Sequence, residues 1–331
     1  MLKTFPLLIA EIANTHGGNI NYLKEIIRKT QQTKVDAIKF QIIRASEILT
    51  SNHPQYKLFK SLEFSKKEWI DNTKYIKNYN KKIVTDIFGE NSLEIAKAIN
   101  PDYIKIHSTD FNNYDLIKKT LKMSKPILLN IGGATISEIN EVVKLLKNHV
   151  FCLQLGFQDY PTPINEINLN KILRFKAKYD CPIGFADHSK GDSNISQLLP
   201  CIAVAKGADS IEKHIKLKDR KTKYDWESAI PVEKINALKD NLLNTISSLG
   251  KTSFELSNKE KTYREKTRRQ LVILKAYKKG DRIKKEDISF LRGKIENKEI
   301  PLTYEKLNQY KNSKLKRDIK RYSVLTEEMF K

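Results

Sequence analysis

Short apolar segments alternate with longer amphipathic segments along residues 7–249, and this alternation restricts the possible folds more than any other feature of the sequence. Segments with helical periodicity, such as Leu23–Gln32 and Ile136–Leu146, separate the apolar ones. Eight β/α units in about 250 residues predict a (β/α)8 TIM barrel. An open, doubly wound sheet is the alternative, but no GxGxxG sequence follows the first strand. The apolar segments are Leu7–Ile12, Ala37–Ile42, Lys82–Ile87, Tyr103–His107, Ile127–Ile131, Phe151–Leu155, Ile183–Ala186 and Ser210–His214.

The sequence changes character after residue 250, and the 331-residue chain is longer than a barrel requires. Residues 251–266 are polar and charged, which is typical of a linker. Residues 267–331 contain shorter strand-like segments around the turn Lys279-Gly280-Asp281. We therefore predict a barrel domain over 1–250, a linker over 251–266 and a small β-rich domain over 267–331.

The formal net charge of +22 raises the question of a nucleic-acid or membrane partner. Most basic residues are lysines scattered along the chain, whereas phosphate recognition usually depends on arginine. No apolar run approaches the roughly 20 residues of a membrane span, and no signal peptide is evident. Three cysteines without CxxC spacing predict neither a disulfide framework nor a zinc ribbon. We expect a cytoplasmic protein with a small anionic substrate and with neither nucleic acid nor membrane as partner.

Polar side chains recur where the predicted strands end, which is where barrel enzymes place their catalytic groups. Any one of them could be a helix cap or a solvated loop residue. Lys39 and Lys105 are different, because a lysine inside an apolar strand is costly unless an anion meets it. Together with the hydroxyls of Thr85 and Ser108, they predict a pocket for a doubly anionic small molecule. The polar residues near strand ends are Glu11, Lys39, Gln41, Thr85, Asp86, Lys105, His107, Ser108, Asn130, Gln158, Tyr160, Asp187, His188, Glu212 and His214.

Two histidines, His188 and His214, end successive strands and should lie side by side on the rim of the barrel. With Asp187 and Glu212 nearby, the pair suggests two imidazole ligands of a divalent metal. Two protein ligands would leave positions for water and substrate, as a Lewis-acid site requires. The other four histidines are expected to be structural.

Several motifs together resemble the sialic acid (N-acetylneuraminate) synthase family. The match covers nearly the whole chain in the family's order. The segment from Arg268 to Arg292 resembles the family's C-terminal antifreeze-like (SAF) domain. The motifs of the barrel are Ile9-Ala10-Glu11-Ile12 with His16-Gly17-Gly18, Ile38-Lys39-Phe40-Gln41, Tyr103-Ile104-Lys105-Ile106-His107-Ser108, Tyr160-Pro161-Thr162-Pro163, Asp187-His188-Ser189 and Ile211-Glu212-Lys213-His214.

The resemblance implies that the chain condenses phosphoenolpyruvate with the open-chain aldehyde of an N-acyl hexosamine. The products would be a nine-carbon 2-keto-3-deoxy sugar acid and phosphate, for surface-glycan biosynthesis. The family usually uses manganese, and it would place Arg292 in the active site of the other subunit of a domain-swapped homodimer. By similarity, the residues that bind phosphoenolpyruvate are Lys39, Thr85, Lys105, Ser108, Asn130 and Gln158, those that bind the sugar are Gln41, Tyr160, Asp225 and Arg292, the metal ligands are His188 and His214, and the catalytic residues are Glu11, Lys39, Lys105 and Asp110.

The sequence departs from the family at several of these positions. Asp110 replaces a glutamate that would take a proton from the attacking water, and its alternative role is the N-cap of a helix at Asn113. Asn130-Ile131-Gly132 replaces Ser-Thr-Gly, Ala186 replaces a serine and Gln158 replaces an asparagine. Arg292 also lacks the proline that usually follows it. These changes leave the sugar open among precursors of sialic, legionaminic, pseudaminic and related acids.

Two other functions remain as alternatives. A related synthase could condense phosphoenolpyruvate with a shorter aldose and produce a shorter 3-deoxy-2-keto sugar acid. The SAF-like segment and Asp225 argue against this alternative. A non-catalytic basic binding protein is the other alternative, and it would bind in a strongly salt-dependent way without releasing phosphate from any sugar.

Overall fold

A computed structural model describes residues 6–218, 220, 222–294, 299–310 and 312–331. The chain divides into two compact units, Met1–Gly250 and Lys251–Lys331. This division falls at the predicted end of the barrel domain.

The first unit is a closed barrel of eight parallel strands, which confirms the predicted fold class. Strand β1 pairs with β2 on one side and with β8 on the other, so the sheet has no free edge between them. This closure excludes the doubly wound alternative, which leaves two edges open. A ninth short strand, β9 (Ile230–Pro231), pairs with the end of β8. The barrel strands are β1 (Leu7–Glu11), β2 (Ala37–Gln41), β3 (Lys82–Ile87), β4 (Tyr103–Ile106), β5 (Ile127–Asn130), β6 (Phe151–Leu155), β7 (Ile183–Asp187) and β8 (Ser210–Lys216).

Helices surround the barrel and pack their apolar faces against its outer surface. Helix α1, for example, buries Leu23, Ile26 and Ile27, and the side chain of Asn19 caps its first turn. No helix in the described parts of the chain is long and apolar enough to cross a membrane. The helices of this unit are α1 (Ile20–Thr30), α2 (Ala45–Ile48), α3 (Tyr56–Ser61), α4 (Lys66–Thr73), α5 (Glu90–Ile99), α6 (Tyr114–Leu121), α7 (Ile136–Leu146), α8 (Asn170–Lys178), α9 (Ile195–Ala205) and α10 (Ile235–Leu249).

The barrel interior changes from apolar to charged along the strands. Side chains at its amino end form an apolar cluster of Leu7, Ile9, Ala37, Val84, Tyr103, Leu128 and Cys152. Two residues further along each strand, the same face carries charged and polar groups, because alternate residues of a strand share a face. That next layer includes Glu11, Lys39, Asp86, Lys105, Gln154 and Glu212, all of them buried. The apolar layer therefore closes the barrel below a polar site.

The second unit has a small core of its own. Strands β10 (Gln270–Ile273) and β11 (Ile288–Leu291) form an antiparallel pair, and isolated bridges extend the pairing to Val324 and Ile319. Helix α11 (Asn258–Thr267) begins with a capping box at Ser257 and has no buried residue. This helix occupies most of the segment predicted as a linker. A short helix, α12 (Tyr304–Gln309), completes the unit.

Candidate active site

The charged layer inside the barrel centres on Lys39. Its Nζ lies 2.8 Å from Glu212 Oε1 and 2.9 Å from Asp86 Oδ2, and it also contacts Glu11. All four side chains are at most 1% exposed. The contact to Glu212 is a hydrogen bond, whereas Glu11 Oε2 and Asp86 Oδ2 lie in ion-pair contact without a hydrogen-bond partner among the described residues.

The second buried lysine, Lys105, shares Glu212 with Lys39. Its Nζ lies 2.7 and 2.9 Å from the two carboxylate oxygens of Glu212, and Gln154 Nε2 donates to Glu212 Oε2 at 3.1 Å. Although burial opposes ionisation of Glu212, Lys105 and Lys39 hold the pKa of its carboxyl group well below the usual value. Burial likewise opposes the charge of Lys105, but Glu212 and Asp86 raise its pKa above the ordinary value.

Carboxylates of the protein itself are therefore the anions that meet the buried Lys39 and Lys105. Lys105 keeps an N–H donor for a ligand, because Glu212 takes only two of its three. The sequence indicated Asp86 only as a polar strand residue and Glu212 only as a carboxylate near the histidine pair, and Gln154 was not among the predicted residues. All three carry the signal that identified the lysines, which is a polar residue inside an apolar strand.

Thr85 is not part of this layer, and its predicted role in binding phosphoenolpyruvate stays a prediction. Val84 belongs to the apolar cluster inside the barrel, and Asp86 contacts Lys39 there. Thr85 lies between them in β3 and must point to the outer face, because successive side chains of a strand alternate. Asp86 occupies the inward position instead.

The two strand-end histidines lie against each other, as their positions predicted. Their ring centroids are 5.2 Å apart, and the Tyr160 ring lies 4.7 Å from His188 and 5.4 Å from His214. Nδ1 of His188 lies 2.7 Å from the Phe157 carbonyl oxygen, which leaves Nε2 for a ligand. Burial lowers the pKa of His188 to about 4 and that of His214 well below its usual value. Both imidazoles are thus neutral at pH 7, as metal ligands must be.

The carboxylates expected beside this pair are both engaged by lysines. Asp187 Oδ2 lies 2.8 Å from Lys213 Nζ in a fully buried ion pair, and Glu212 serves the two lysines of the charged layer. Within the described parts of the chain, no group of three or more His, Cys, Asp or Glu side chains is arranged to hold a metal. A metal here would have two imidazole ligands from the protein.

Three of the residues predicted to bind the sugar line one cavity of about 210 Å³ at the carboxyl ends of the strands, namely Gln41, Tyr160 and Asp225. Asn14 joins two of them, since its Nδ2 donates to Gln41 Oε1 at 3.1 Å and its backbone N donates to Asp225 Oδ2 at 2.8 Å. Asn14 Oδ1 is buried without a hydrogen-bond partner among the described residues. Asn14, which follows the first strand, was not among the predicted site residues.

Gln158, predicted to bind phosphoenolpyruvate, lines the same cavity and contacts the Nε2 atom of His107. His107, expected to be structural, has its Nδ1 2.9 Å from Thr109 Oγ1. Burial lowers the pKa of His107 to about 4. This histidine therefore connects Gln158 to the turn after β4.

That turn carries Ser108 and Asp110, and it shows which residue caps the helix that follows. Helix α6 is capped by Asn113, whose side chain accepts from the backbone of Leu116. Asp110 is not the N-cap, but its Oδ1 accepts from Asn113 Nδ2 and its Oδ2 accepts from Thr109 Oγ1, both at 3.1 Å. Burial raises the pKa of Asp110. Its half-buried carboxylate is thus held in place beside the cavity-lining Thr109.

The loops after β5 and β6 approach each other closely beside Asn130. The amide oxygen Oδ1 of Asn130 accepts from the backbone N of Gly132 at 2.8 Å, so the side chain shapes its own loop. A Cβ atom on Gly132 would lie 2.2 Å from the carbonyl oxygen of Gly156, so only glycine fits at Gly132. Ala186 is buried at the adjacent strand end. The departures at residues 130–132 and at Ala186 thus lie on one tightly packed wall.

Arg292 belongs to the second unit, directly after β11. Its side chain is exposed, and its Nε donates to the Thr267 carbonyl oxygen at 3.1 Å. The structure describes Arg292 within its own unit only.

A closed parallel barrel with ionisable side chains gathered at the carboxyl ends of its strands is the architecture of a TIM-barrel enzyme. Comparison with protein families defines the class further. The NeuB family model matches residues 26–254, and the chain belongs to this family. It is an enzyme, a C–C bond-forming transferase resembling N-acetylneuraminate synthase, which confirms the resemblance seen in the sequence.

Individual relatives agree with this assignment. The chain is 31% identical over 288 residues to an uncharacterized protein of Methanocaldococcus jannaschii, covering 86% of this chain and 84% of that protein. It is 26% identical over 300 residues to the N,N'-diacetyllegionaminic acid synthase of Campylobacter jejuni, covering 85% and 88%. The crystal structure of the N-acetylneuraminic acid (sialic acid) synthetase of Leptospira borgpetersenii superposes with a TM-score of 0.73 at 30% identity, covering 80% of this chain and 93% of that one.

Proposed function

We propose that the protein condenses phosphoenolpyruvate with the open-chain form of an N-acyl aldose, giving a nonulosonic acid and phosphate. The observation that carries the proposal is the contact of the Tyr160 ring, in a tilted arrangement, with two neutral histidines next to the buried Lys39–Glu212–Lys105 network. Relatives named as legionaminic acid and sialic acid synthases support the same chemistry. Surface-glycan biosynthesis in the cytoplasm is the setting that this proposal implies.

Lys105 is the anchor for the anionic substrate in this proposal, because it retains an N–H donor. Lys39 contacts three carboxylates, so an incoming anion must compete with them for its protons. Asn130 and Ser108 would complete the phosphate site, with the backbone N–H groups of the loop after β5. Gln41, Asp225 and Asn14 would hold hydroxyl groups of the sugar.

His188 and His214 fit a divalent metal, for which we propose Mn²⁺. Both rings are neutral, and Nδ1 of His214 is buried without a hydrogen-bond partner among the described residues. The adjacent layer sets the carboxylates of Glu11, Asp86 and Glu212 against two lysines, and this negative excess favours a cation. Bound there, the metal would supply Lewis-acid polarisation of a carbonyl oxygen.

Asp110 is the proposed acceptor of the proton from the water that adds at C2 of phosphoenolpyruvate. Thr109 and Asn113 fix its carboxylate by hydrogen bonds, and burial raises the pKa of Asp110 toward the range of a working base. Arg292 would contact the N-acyl group from the partner subunit of a homodimer, as the resemblance implies.

Phosphate release tests the reaction directly. The full chain is incubated with Mn²⁺, phosphoenolpyruvate and N-acyl aldoses of different length, and phosphate is measured beside the consumption of phosphoenolpyruvate. The proposal is supported if the phosphate released equals the phosphoenolpyruvate consumed and if this happens only when a six-carbon N-acyl aldose is present. Turnover with a shorter aldose alone favours the shorter sugar acid, and phosphate release independent of any aldose contradicts condensation.

Metal binding is tested separately by calorimetry without substrates. His188→Ala or His214→Ala should weaken Mn²⁺ binding at least tenfold and abolish turnover, because each removes one of two protein ligands. The exposed His53 and His149 provide matched controls, and their alanine variants should leave both properties unchanged. Wild-type metal affinity in both strand-end variants would refute the assignment.

A further inference from the structure

A cavity of about 710 Å³ lies at the amino ends of the barrel strands, opposite the candidate active site. Its walls come from the segments that enter β1, β2, β3 and β4, together with α10. The charged residues that line it are the lysines Lys34, Lys77, Lys81, Lys82 and Lys239 and the carboxylates Asp36 and Asp102.

The two carboxylates are occupied by the barrel itself. Asp36 Oδ2 accepts from the backbone N of Leu8 at 2.7 Å and from Lys239 Nζ at 2.5 Å. Asp102 Oδ2 accepts from the backbone N of Ile83 at 2.8 Å. Both therefore hold strand entries in place, and Asp36 also forms an ion pair with Lys239.

Three of the lysines carry charge that the protein does not neutralise. Within the described parts of the chain, no carboxylate forms an ion pair with Lys77, Lys81 or Lys82. Burial lowers the pKa of Lys81, and the nearby Asp36 carboxylate, which is paired with Lys239, opposes this shift only in part. Their partners are neutral oxygens: Lys77 Nζ donates to Asn100 O at 2.9 Å, Lys81 Nζ to Thr33 O at 2.7 Å and Lys82 Nζ to Tyr103 Oη at 3.2 Å.

We propose that this N-terminal cavity binds a compact polyanion carrying two or more phosphate groups. Each of the three ammonium groups has used one donor and keeps two for phosphate oxygens. Three neighbouring positive charges match a diphosphate better than a single phosphate, and the volume is within the range of about 300–1,000 Å³ for small-molecule sites. Charge-assisted hydrogen bonds from lysine to phosphate would replace weaker bonds to neutral oxygens.

The proposed site is separate from the chemistry at the other end of the barrel. The apolar layer that includes Leu7, Ile9 and Val84 closes the interior between them. A polyanion at the amino end therefore cannot reach the residues around Glu212. We expect it to stabilise the barrel and not to compete with phosphoenolpyruvate, since a ligand that binds only the folded state raises stability.

Pyrophosphate and tripolyphosphate are the probes, measured by calorimetry and by thermal unfolding, with sodium sulfate at equal ionic strength for comparison. The double variant Lys81→Gln/Lys82→Gln should weaken pyrophosphate binding at least tenfold and lose the rise in Tm. Lys259→Gln/Lys261→Gln removes the same charge from two exposed lysines of α11 and should behave as wild type. Lys77→Gln, a single change at another wall, should weaken binding to a smaller extent.

The active site also binds phosphate groups under the proposed function, so Lys105→Met provides the second control. It should retain pyrophosphate binding, because the cavity lies at the opposite end of the barrel. Wild-type affinity in both Lys81→Gln/Lys82→Gln and Lys77→Gln would overturn the proposal. The proposal would also be overturned if Lys105→Met lost pyrophosphate binding, or if sulfate raised Tm as much as pyrophosphate does. Circular dichroism of each variant without ligand separates lost binding from lost folding.

Discussion

Lys39 and Lys105 lie in the same charged layer, but the structure gives them different environments. Lys39 contacts Glu11, Asp86 and Glu212, whereas among the carboxylates that the structure describes Lys105 pairs with Glu212. Removing one member of a buried ion pair costs about 3–5 kcal/mol because the partner is left uncompensated. The two lysines should therefore differ in what their removal damages.

Lys39→Met should lower the free energy of unfolding by about 3–5 kcal/mol, since Lys39 is the lysine that pairs with Glu11 and Asp86. Lys105→Met should lower it less, because Glu212 keeps Lys39, but it should raise KM for phosphoenolpyruvate more. Urea unfolding and steady-state kinetics measure the two effects. If both variants lost the same stability and had the same KM for phosphoenolpyruvate, the two lysines would not differ in their roles.

Asp110 offers a second test at the scale of one residue. Asp110→Asn should lower kcat by about 10²–10⁴ while KM for phosphoenolpyruvate stays nearly constant, because proton transfer is its proposed role. A base acts only when deprotonated, and burial raises the pKa of Asp110. The wild-type kcat should therefore fall as pH decreases through that raised pKa, and the variant should lack this limb.

The control for Asp110 is its neighbour Asn113. Asn113→Ala removes both the cap of α6 and a hydrogen bond to Asp110. It should cost about 1 kcal/mol of stability and keep most of kcat. If Asp110→Asn and Asn113→Ala reduce kcat equally, Asp110 acts only by supporting the helix start.

At the scale of elements, strand β3 shows what the sequence could and could not predict. Its bounds, Lys82–Ile87, agree with the predicted segment, because a continuous apolar run marks a strand covered on both faces. The same property hides which residues point inward, since Ile83 to Ile87 are all buried. The sequence therefore does not distinguish Thr85 from Asp86, and in the structure it is Asp86 that contacts Lys39 inside the barrel.

The side-chain contacts between strands could not be predicted from the sequence, for a different reason. Lys39 and Glu212 are 173 residues apart, and Gln154 and Glu212 are 58 residues apart. Polarity marked each residue as unusual, but only the closure of the barrel places them within hydrogen-bond distance. The histidine pair was predictable because successive strands of a parallel barrel are neighbours.

The loop after β5 provides a test at this scale. Gly132→Ala places a Cβ 2.2 Å from the Gly156 carbonyl oxygen, so the loop must move and Asn130 loses its bond to residue 132. We expect a higher KM for phosphoenolpyruvate and lower stability. Gly133 has a φ of +80° and open space around its Cβ position. Gly133→Ala should thus cost about 1–3 kcal/mol in backbone strain with KM unchanged. An unaltered KM in Gly132→Ala would remove this loop from the substrate site.

At the scale of the whole molecule, the chain consists of two units, each with a core of its own. The lysines, carboxylates and histidines of the candidate site all belong to the barrel, and under the proposed function the second unit would add Arg292. Arg292 is exposed in its own unit and has a hydrogen bond to Thr267. In the proposed homodimer, each active site combines the barrel of one subunit with Arg292 of the other.

Mixing two inactive variants tests this arrangement. His214→Ala disables a barrel, and Arg292→Ala disables the second unit's contribution. In a mixed dimer of a two-fold assembly, one site then combines both intact parts and the other combines both defects. Random exchange of equal amounts makes half of the dimers mixed, so about a quarter of the wild-type activity should return. If Arg292 served its own barrel, every site would keep one defect and no activity would return.

Tagged subunits must first show that exchange occurs. Exchange without recovered phosphate release would refute the contribution of Arg292 across the dimer.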